Sequence, residues 1–403
     1  MVELLNETSS FDDIKIRRIR EGGTLYWIPD PHYYSRPGRY LPAELPIFYN
    51  PAMELNRDLT LISIATYSEL MDIDIEDITY IEALAGTGIR GFRVLNEVGY
   101  ANVILNDINP LCTRFMQFNA REFPPSFRAH VAILNYDANH LLASIRLWRK
   151  PVDIIDIDPF GTPAPFIDSA IRALKRKNGL LLVTATDTAP LIGKFPNSAL
   201  RKYGVWTAPT LCGGEIGVRS LIYFVHRIAT KYSIAVRPLF GFFLGNFIKI
   251  AFLTIPGKRI VDKFWRKIGW ININEDINIA EKPFGEGKGW IGPLWIDKMF
   301  DKEFVEVAIK KIDILPLNEK HKHKLKKWFS SELKTREILL YYDLEAISSG
   351  LKKPTPKTSV VAEILREKGY IAEPTHFNSK AVKTNAPYRD VVNAVIEAQT
   401  ARR

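Results

Sequence analysis

The sequence predicts an α/β fold in which a doubly wound parallel sheet ends in an antiparallel hairpin and is followed by a smaller α+β carboxy-terminal domain. Three observations lead there. Short apolar runs at residues 80–84, 102–106, 130–134, 152–157 and 179–184 alternate with helical patterns, which is the signature of parallel crossovers. A glycine-rich turn, Gly86-Thr87-Gly88-Ile89-Arg90-Gly91, separates the first run from the next helix. Two β-rich runs, residues 233–239 and 246–255, are separated by only a short segment, close enough for a hairpin.

Taken in chain order, turn formers and aromatics dominate the entry, from Arg36-Pro37-Gly38 to Pro46-Ile47-Phe48-Tyr49. Asn50-Pro51 reads as a helix N-cap followed by proline at the first helical position. The asparagine side chain accepts from an early amide, and proline has no N–H to leave unpaired. The amphipathic helix expected over residues 52–71 carries Leu55, Leu59, Ile62 and Thr66 near helical spacing. After the five strands, residues 217–230 read as a helix that leads into the hairpin. Pro256-Gly257-Lys258 is the expected boundary between a domain of residues 1–256 and one of residues 257–403. Beyond it the chain turns lysine-rich, with helices expected over 301–312, 319–335, 337–348, 359–368 and 388–398. The last two, with the Gly369-Tyr370 turn between them, suggest a winged-helix-like tail.

The 403 residues, 46 % hydrophobic, suffice for more than one buried core. A net charge of +10 suits a protein that approaches phosphates; it ranks hypotheses and creates none. Two cysteines, Cys112 and Cys212, exclude a disulfide framework and a four-cysteine metal site and fit a reducing, cytoplasmic setting. Residues 1–13 lack the apolar stretch of a signal peptide, and no apolar run reaches the roughly 20 residues that span a bilayer. No membrane partner is expected.

The chemistry lies at strand ends. In Glu82-Ala83-Leu84-Ala85-Gly86-Thr87-Gly88, glycines permit a tight turn and close backbone approach to a ligand. Asp107 follows the second strand about 20 residues later, where an acid accepts from both ribose hydroxyls of an adenosine-containing cofactor. This much is shared by NAD and S-adenosylmethionine sites. Asp137-Ala138 follows the third strand, where a carboxylate can receive an adenine amino group, although an aspartate in such a loop is more often an N-cap. The deciding feature is Asp158-Pro159-Phe160-Gly161 after the fourth strand. An exocyclic base amine is a poor nucleophile because its lone pair is delocalised into the ring. A carboxylate can orient that lone pair, accommodate the positive charge that develops and accept the proton. Proline presents its carbonyl as a second acceptor, and the aromatic ring gives an extruded base a stacking face. Asp153 and Asp156 read as supporting or capping residues.

These residues resemble the tRNA guanosine-26 N2-dimethyltransferases. The resemblance rests on Phe48-Tyr49-Asn50-Pro51-x-Met53-x-x-Asn56-Arg57-Asp58, the glycine turn, Asn106-Asp107 and Asp158-Pro159-Phe160-Gly161. It continues in Gly292-Pro293-Leu294-Trp295, Thr375-His376-Phe377 and Lys383-Thr384. It implies a class I S-adenosylmethionine-dependent methyltransferase, Rossmann-like domain that takes S-adenosyl-L-methionine as cofactor and tRNA as substrate. By that resemblance Phe48, Arg57, Glu82, Gly86, Gly88, Arg90, Asp107, Asp137 and Ala138 are cofactor contacts, the two arginines offering guanidinium forks to a carboxylate. Asp158, Pro159 and Phe160 become the catalytic group. The family's carboxy-terminal domain grips tRNA, and the run Lys320-His321-Lys322-His323-Lys324-x-Lys326-Lys327 suits that role or is a solvated helix face. Two departures stand out. The family's four-cysteine zinc segment has no cysteine here, so no metal is expected. Gly214-Glu215 replaces a common His-Glu pair. An NAD-dependent oxidoreductase and a non-catalytic RNA-binding protein on the same scaffold are the competing readings. Oligomeric state stays open, a monomer being one option.

Overall fold

The computed structural model describes residues 2–34, 42–148, 151–273, 277–280 and 290–400; the Arg36-Pro37-Gly38 turn formers lie outside them. Three strands open the chain where the sequence suggests only an irregular entry. They are β1 (Glu3–Phe11), β2 (Ile14–Glu21) and β3 (Thr24–Pro29), an antiparallel sheet in that order. Asp12 and Asp13 take positive φ angles of 44° and 63° at the first turn, a region that aspartate tolerates. Ile14 and Ile16 pack with Ile47, Cys112 and Phe115.

The main sheet contains β4 (Thr79–Glu82), β5 (Asn102–Asn106), β6 (Val131–Leu134), β7 (Ile154–Ile157), β8 (Leu180–Ala185), β9 (Ile234–Phe243) and β10 (Ile248–Pro256). Its order is β6-β5-β4-β7-β8-β10-β9. Strand β4 pairs in parallel with β5 and β7, β5 pairs in parallel with β6, and β10 runs antiparallel to β9. The predicted hairpin is therefore present. Strand order reverses between β4 and β7, and in open α/β sheets ligands bind at the carboxyl ends beside such a switch. Strand β8 is buried throughout, as a central strand covered on both faces must be.

Helix Glu54–Met71 begins after a single turn at Pro51–Met53, and the Asn50 side chain accepts from the Ala52 amide at 3.0 Å, the cap that the sequence predicts. Contacts divide the chain into two compact units. One comprises Met1–Asp158, Phe166–Leu182 and Glu306–Leu325; the other comprises Pro159–Pro165, Val183–Val305 and Lys326–Arg403.

In the second unit, β11 (Ile268–Ile273), β12 (Ile277–Ala280) and β13 (Trp290–Trp295) form a sheet in the order β12-β11-β13 that the sequence does not announce. The tail has β14 (Tyr342–Asp343), β15 (Ala372–Pro374) and β16 (Ala381–Thr384) in the order β14-β16-β15. Helices Leu344–Gly350, Thr358–Glu367 and Tyr388–Thr400 share one core with that sheet. The helix expected from residue 337 starts at Leu344 instead. Leu340 has φ +62°, Tyr342 pairs with Val382, and Asp343 caps the helix through the Ala346 amide at 2.9 Å, so strand pairing overrides local helix propensity.

Gly91 carries the closest helix-to-strand approach of the glycine turn. A Cβ built there lies 2.3 Å from Leu105 Cδ2. Gly91→Ala is therefore expected to destabilise the protein by about 1–3 kcal/mol, as overpacked cores do. Denaturant unfolding reads this, and Leu105→Val in the same background, which removes the clashing carbon, should recover part of the loss.

Candidate active site

Backbone geometry explains the glycine turn. Gly86 and Gly88 have φ angles of 56° and 79°, the left-handed region that side chains disfavour. A Cβ at Gly86 would lie 3.4 Å from the Phe48 carbonyl oxygen, and one at Gly88 would lie 2.7 Å from Met116. Tyr26, on the unforeseen amino-terminal sheet, donates its hydroxyl to the Thr87 carbonyl at 2.5 Å and holds the turn from behind.

Asp107 is tied into the same turn. Its Oδ2 accepts from the Gly86 amide at 2.8 Å, and its Oδ1 accepts from Asn109 at 2.9 Å. The neighbouring Asn106 is fully buried and donates to the carbonyls of Ala83 and Tyr136, both at 3.0 Å, while accepting from the Tyr136 amide. Three successive strand ends are thus fastened by one amide. Asp137 is a helix N-cap: its Oδ1 accepts from the His140 amide at 3.0 Å, and Ala138 behind it is buried. The structure therefore brings Phe48, Gly86 and Asp107 together, while Asp137 and Ala138 open the helix that follows β6.

Arg90 sits in a knot of acids and is only 4 % exposed. Its Nη1 donates to Asp156 Oδ2 at 3.0 Å and lies 3.6 Å from Glu82 Oε1; its Nη2 donates to Asn56 Oδ1 at 3.1 Å and to Asp158 Oδ2. Asp156 also accepts from the Thr60 hydroxyl at 2.8 Å, so the supporting role expected of it is observed. Asp153 likewise supports the fold, accepting from the Thr79 amide at 2.9 Å and pairing with Lys175. Burial by itself would lower the pKa of Arg90, but Asp156, Asp158 and Glu82 hold it well above the usual guanidinium value. Burial pushes the Glu82 carboxyl up to about 8 against the pull of Arg90, with Asp156 and Asp158 adding to the rise.

Arg57 faces Glu21, a residue the sequence reading did not single out. Glu21 is fully buried at the end of β2 and receives Arg57 Nε at 2.5 Å, Arg57 Nη2 at 2.6 Å, Arg93 Nη1 at 2.9 Å and the Tyr49 hydroxyl at 2.8 Å. An acid on the inward side of β2, after Ile14, Ile16 and Ile19, was the available signal. Both guanidinium forks thus engage carboxylates of the chain itself. Asp58 lies 2.8 Å from Arg93 and 2.6 Å from His321 Nδ1. His321 therefore turns inward from the lysine-rich run, which is not a purely solvated face.

Asp158 is half-buried, Pro159 is buried and Phe160 is 64 % exposed. In the second unit the later motifs meet in another ion knot. Lys383 Nζ reaches Glu215 at 3.1 Å and Glu332 at 3.4 Å, His376 Nδ1 pairs with Glu332 at 2.7 Å, and Thr375 donates to it at 2.6 Å. Arg219 pairs with Glu215 at 2.6 Å and donates to the Trp295 carbonyl at 2.9 Å. At Gly214 a Cβ would lie 2.6 Å from the Phe243 ring, so the ring occupies the space a histidine would need.

A parallel sheet closed by an antiparallel last pair, with a glycine turn after β4 and an acid after β5, is the fold of class I methyltransferases. A family model described as N2,N2-dimethylguanosine tRNA methyltransferase matches residues 30–396. A tRNA (guanine(26)-N(2))-dimethyltransferase of Methanocaldococcus jannaschii is 34 % identical over 390 residues, 95 % of this chain and 100 % of the relative. One of Aeropyrum pernix is 33 % identical over 395 residues, 94 % of this chain and 96 % of the relative. The solved complex of Trm1 from Pyrococcus horikoshii with S-adenosyl-L-methionine has a TM-score of 0.80 at 29 % identity, covering 94 % of this chain and 99 % of that one. The chain belongs to the N2,N2-dimethylguanosine tRNA methyltransferase family.

The Glu21 knot makes a pH prediction. Burial alone would raise its pKa, but Arg57 and Arg93 hold it at about 2, below the ordinary 4.5. Its stabilisation is therefore present above pH 4.5 and is lost as pH falls through about 2. Glu21→Gln should cost about 3–5 kcal/mol at neutral pH and flatten the acid side of the stability profile. Equal acid slopes for wild type and variant in denaturant titrations at pH 2–5 would exclude Glu21 as the source.

Proposed function

We propose that the chain transfers methyl groups from S-adenosyl-L-methionine to the exocyclic 2-amino group of guanosine 26 of tRNA, giving N2-methyl- and then N2,N2-dimethylguanosine. The observation that carries this reading is Asp158, held through Oδ2 by buried Arg90 at the carboxyl end of β7, beside an exposed Phe160 in a chain of this family.

The residues suit the cofactor. Left-handed Gly86 keeps a slot beside the Phe48 carbonyl that a larger side chain would fill, and Asp107 offers a carboxylate at the end of β5. When bound, S-adenosyl-L-methionine supplies an electrophilic methyl carbon. Asp107 accepts from the ribose hydroxyls, Asp137 and Ala138 meet the adenine edge, and Phe48, Glu82, Gly86 and Gly88 line the remaining wall. Arg57 and Arg90, whose charges Glu21, Asp156 and Asp158 already balance, would lie toward the methionine end and hold those acids in place. Asp158 Oδ1 accepts from the guanine amine, orients its lone pair and takes the proton as the new bond forms. The Pro159 carbonyl is a second acceptor, and Phe160 stacks on the extruded base. Residues 257–403, with a winged-helix-like tail, form the tRNA-binding domain, and the chain's net charge of +10 attracts the tRNA phosphates. Among the described residues no helix is long and apolar enough to cross a membrane, and both cysteines are free and buried, which supports a cytoplasmic setting.

Radiolabelled S-adenosyl-L-methionine and unmodified tRNA transcript should yield labelled dimethylguanosine on digestion, and none when guanosine 26 is replaced. Unlabelled RNA despite cofactor binding would refute the substrate. Asp158→Ala should lower transfer at least about a hundredfold with cofactor affinity nearly unchanged. Asp107→Ala should chiefly raise the cofactor Kd, read by calorimetry; an unchanged Kd removes Asp107 from the ribose site.

A further inference from the structure

The turn that carries Phe160 is fastened from one side by residues to which neither the family motifs nor the comparisons give a role. Gly161 has φ +83°, and a Cβ built there meets nothing within 4 Å, so open space lies on that side of the turn. Hydrogen bonds hold it. The Gly161 amide donates to Thr186 Oγ1 at 2.6 Å, and the Gly161 carbonyl accepts from the amides of Thr186 at 2.9 Å and Asp187 at 3.3 Å. One residue on, the Thr162 hydroxyl donates to the Tyr203 hydroxyl at 2.8 Å, and that hydroxyl donates to Asp187 Oδ1 at 2.6 Å. Lys202 binds the other oxygen, Asp187 Oδ2, at 2.9 Å. Thr162 Oγ1 also accepts from the Ala164 amide at 3.2 Å, closing the far side of the turn.

The chain of hydroxyls has a fixed direction because it ends on a carboxylate, which only accepts. Tyr203 is fully buried, and burial with Asp187 beside it raises its phenol far above the usual tyrosine range, so it stays a donor. Against this rigid side stands Phe160, 64 % exposed. Burying a phenylalanine ring is ordinarily favourable, so an exposed one is held out by its backbone. The hydrogen bonds at the next two residues fix the backbone from which that ring projects.

We propose that Thr186, Asp187 and Tyr203 are positioning residues that hold the Phe160-Gly161-Thr162 turn in the pose that receives the base. The proposal rests on the reading of Asp158, Pro159 and Phe160 as the catalytic group. A bond network serving only to finish β8 would affect stability and not the division between binding and turnover.

Three substitutions separate these cases. Tyr203→Phe removes one hydroxyl and keeps the ring, whose edge-on packing with Phe224 at 5.3 Å is retained. Thr186→Val removes the acceptor for Gly161, and Thr186→Ser restores it. In the full chain, Tyr203→Phe and Thr186→Val should lower kcat for tRNA methylation about ten- to a hundredfold, the scale of small misplacements of a reacting group. Cofactor Kd and the unfolding midpoint should stay near wild type, and Thr186→Ser should recover most of the rate. A tRNA carrying 2-aminopurine at position 26 gives a second readout: its fluorescence on binding should differ from wild type in both hydroxyl-deleted variants, as it does in Phe160→Ala. Rates within twofold of wild type with unchanged fluorescence overturn the proposal, and so does a rate loss matched by loss of cofactor binding and stability. Asp158→Ala measured alongside keeps the two readings apart. If it is inactive while the clamp variants are fully active, the clamp alone falls; if it is active, the catalytic assignment falls first.

Discussion

A guanidinium buried at the carboxyl ends of the central strands must be neutralised, and Arg90 is neutralised by the strand that carries the candidate site. Asp156 sits within β7 and Asp158 just beyond it, so one arginine from the glycine turn fixes the exit of β7 and the acid that begins Asp-Pro-Phe-Gly. Asn56 and Thr60, on helix Glu54–Met71, complete the shell. Turn, helix and strand therefore cannot shift independently without leaving a buried charge unpaired, a situation that costs several kcal/mol. Such a knot adds little net stability compared with an apolar core; its contribution is geometric, because charged hydrogen bonds fix direction as well as distance.

The same device recurs at other family motifs. Arg57, from Asn56-Arg57-Asp58, meets Glu21, and Asp58 meets Arg93 and His321. In the second unit Lys383, Thr375 and His376 converge on Glu332 and Glu215, and Arg219 ties Glu215 to the carbonyl of Trp295. Motif residues that look like ligand contacts in sequence thus serve first as buried counterions. A residue with both duties is constrained twice, since its replacement removes a contact and strands a partner's charge.

The parallel strands, the hairpin, the Asn50 cap and the glycine turn were legible because each depends on local chemistry: alternation of apolar runs, a capping side chain, positive φ. Gly91 is a partial case, as its sequence spacing marks a glycine while only the fold supplies Leu105 as the reason for it. The amino-terminal sheet was not legible. In β2 the buried side passes through Ile14, Ile16, Ile19 and Glu21, so the alternation slips once and charged residues fill the gaps. The segment from residue 337 has a local helix propensity that the pairing of Tyr342 with Val382, forty positions apart, overrides.

The fold class and the family could be read from the sequence, because periodicity and motif spacing are written along the chain. The sequence named Asp107, Arg90 and Asp158 without saying that Arg90 grips Asp158, or that Asp107 is anchored by the Gly86 amide. Tertiary structure alone decided the partners of the buried charges, the counterion Glu21 and the hydrogen-bonded seat of the Phe160 turn. The physical reason is that a buried charge or hydroxyl is satisfied by whatever group the fold brings within about 3 Å, and that group is usually remote in sequence.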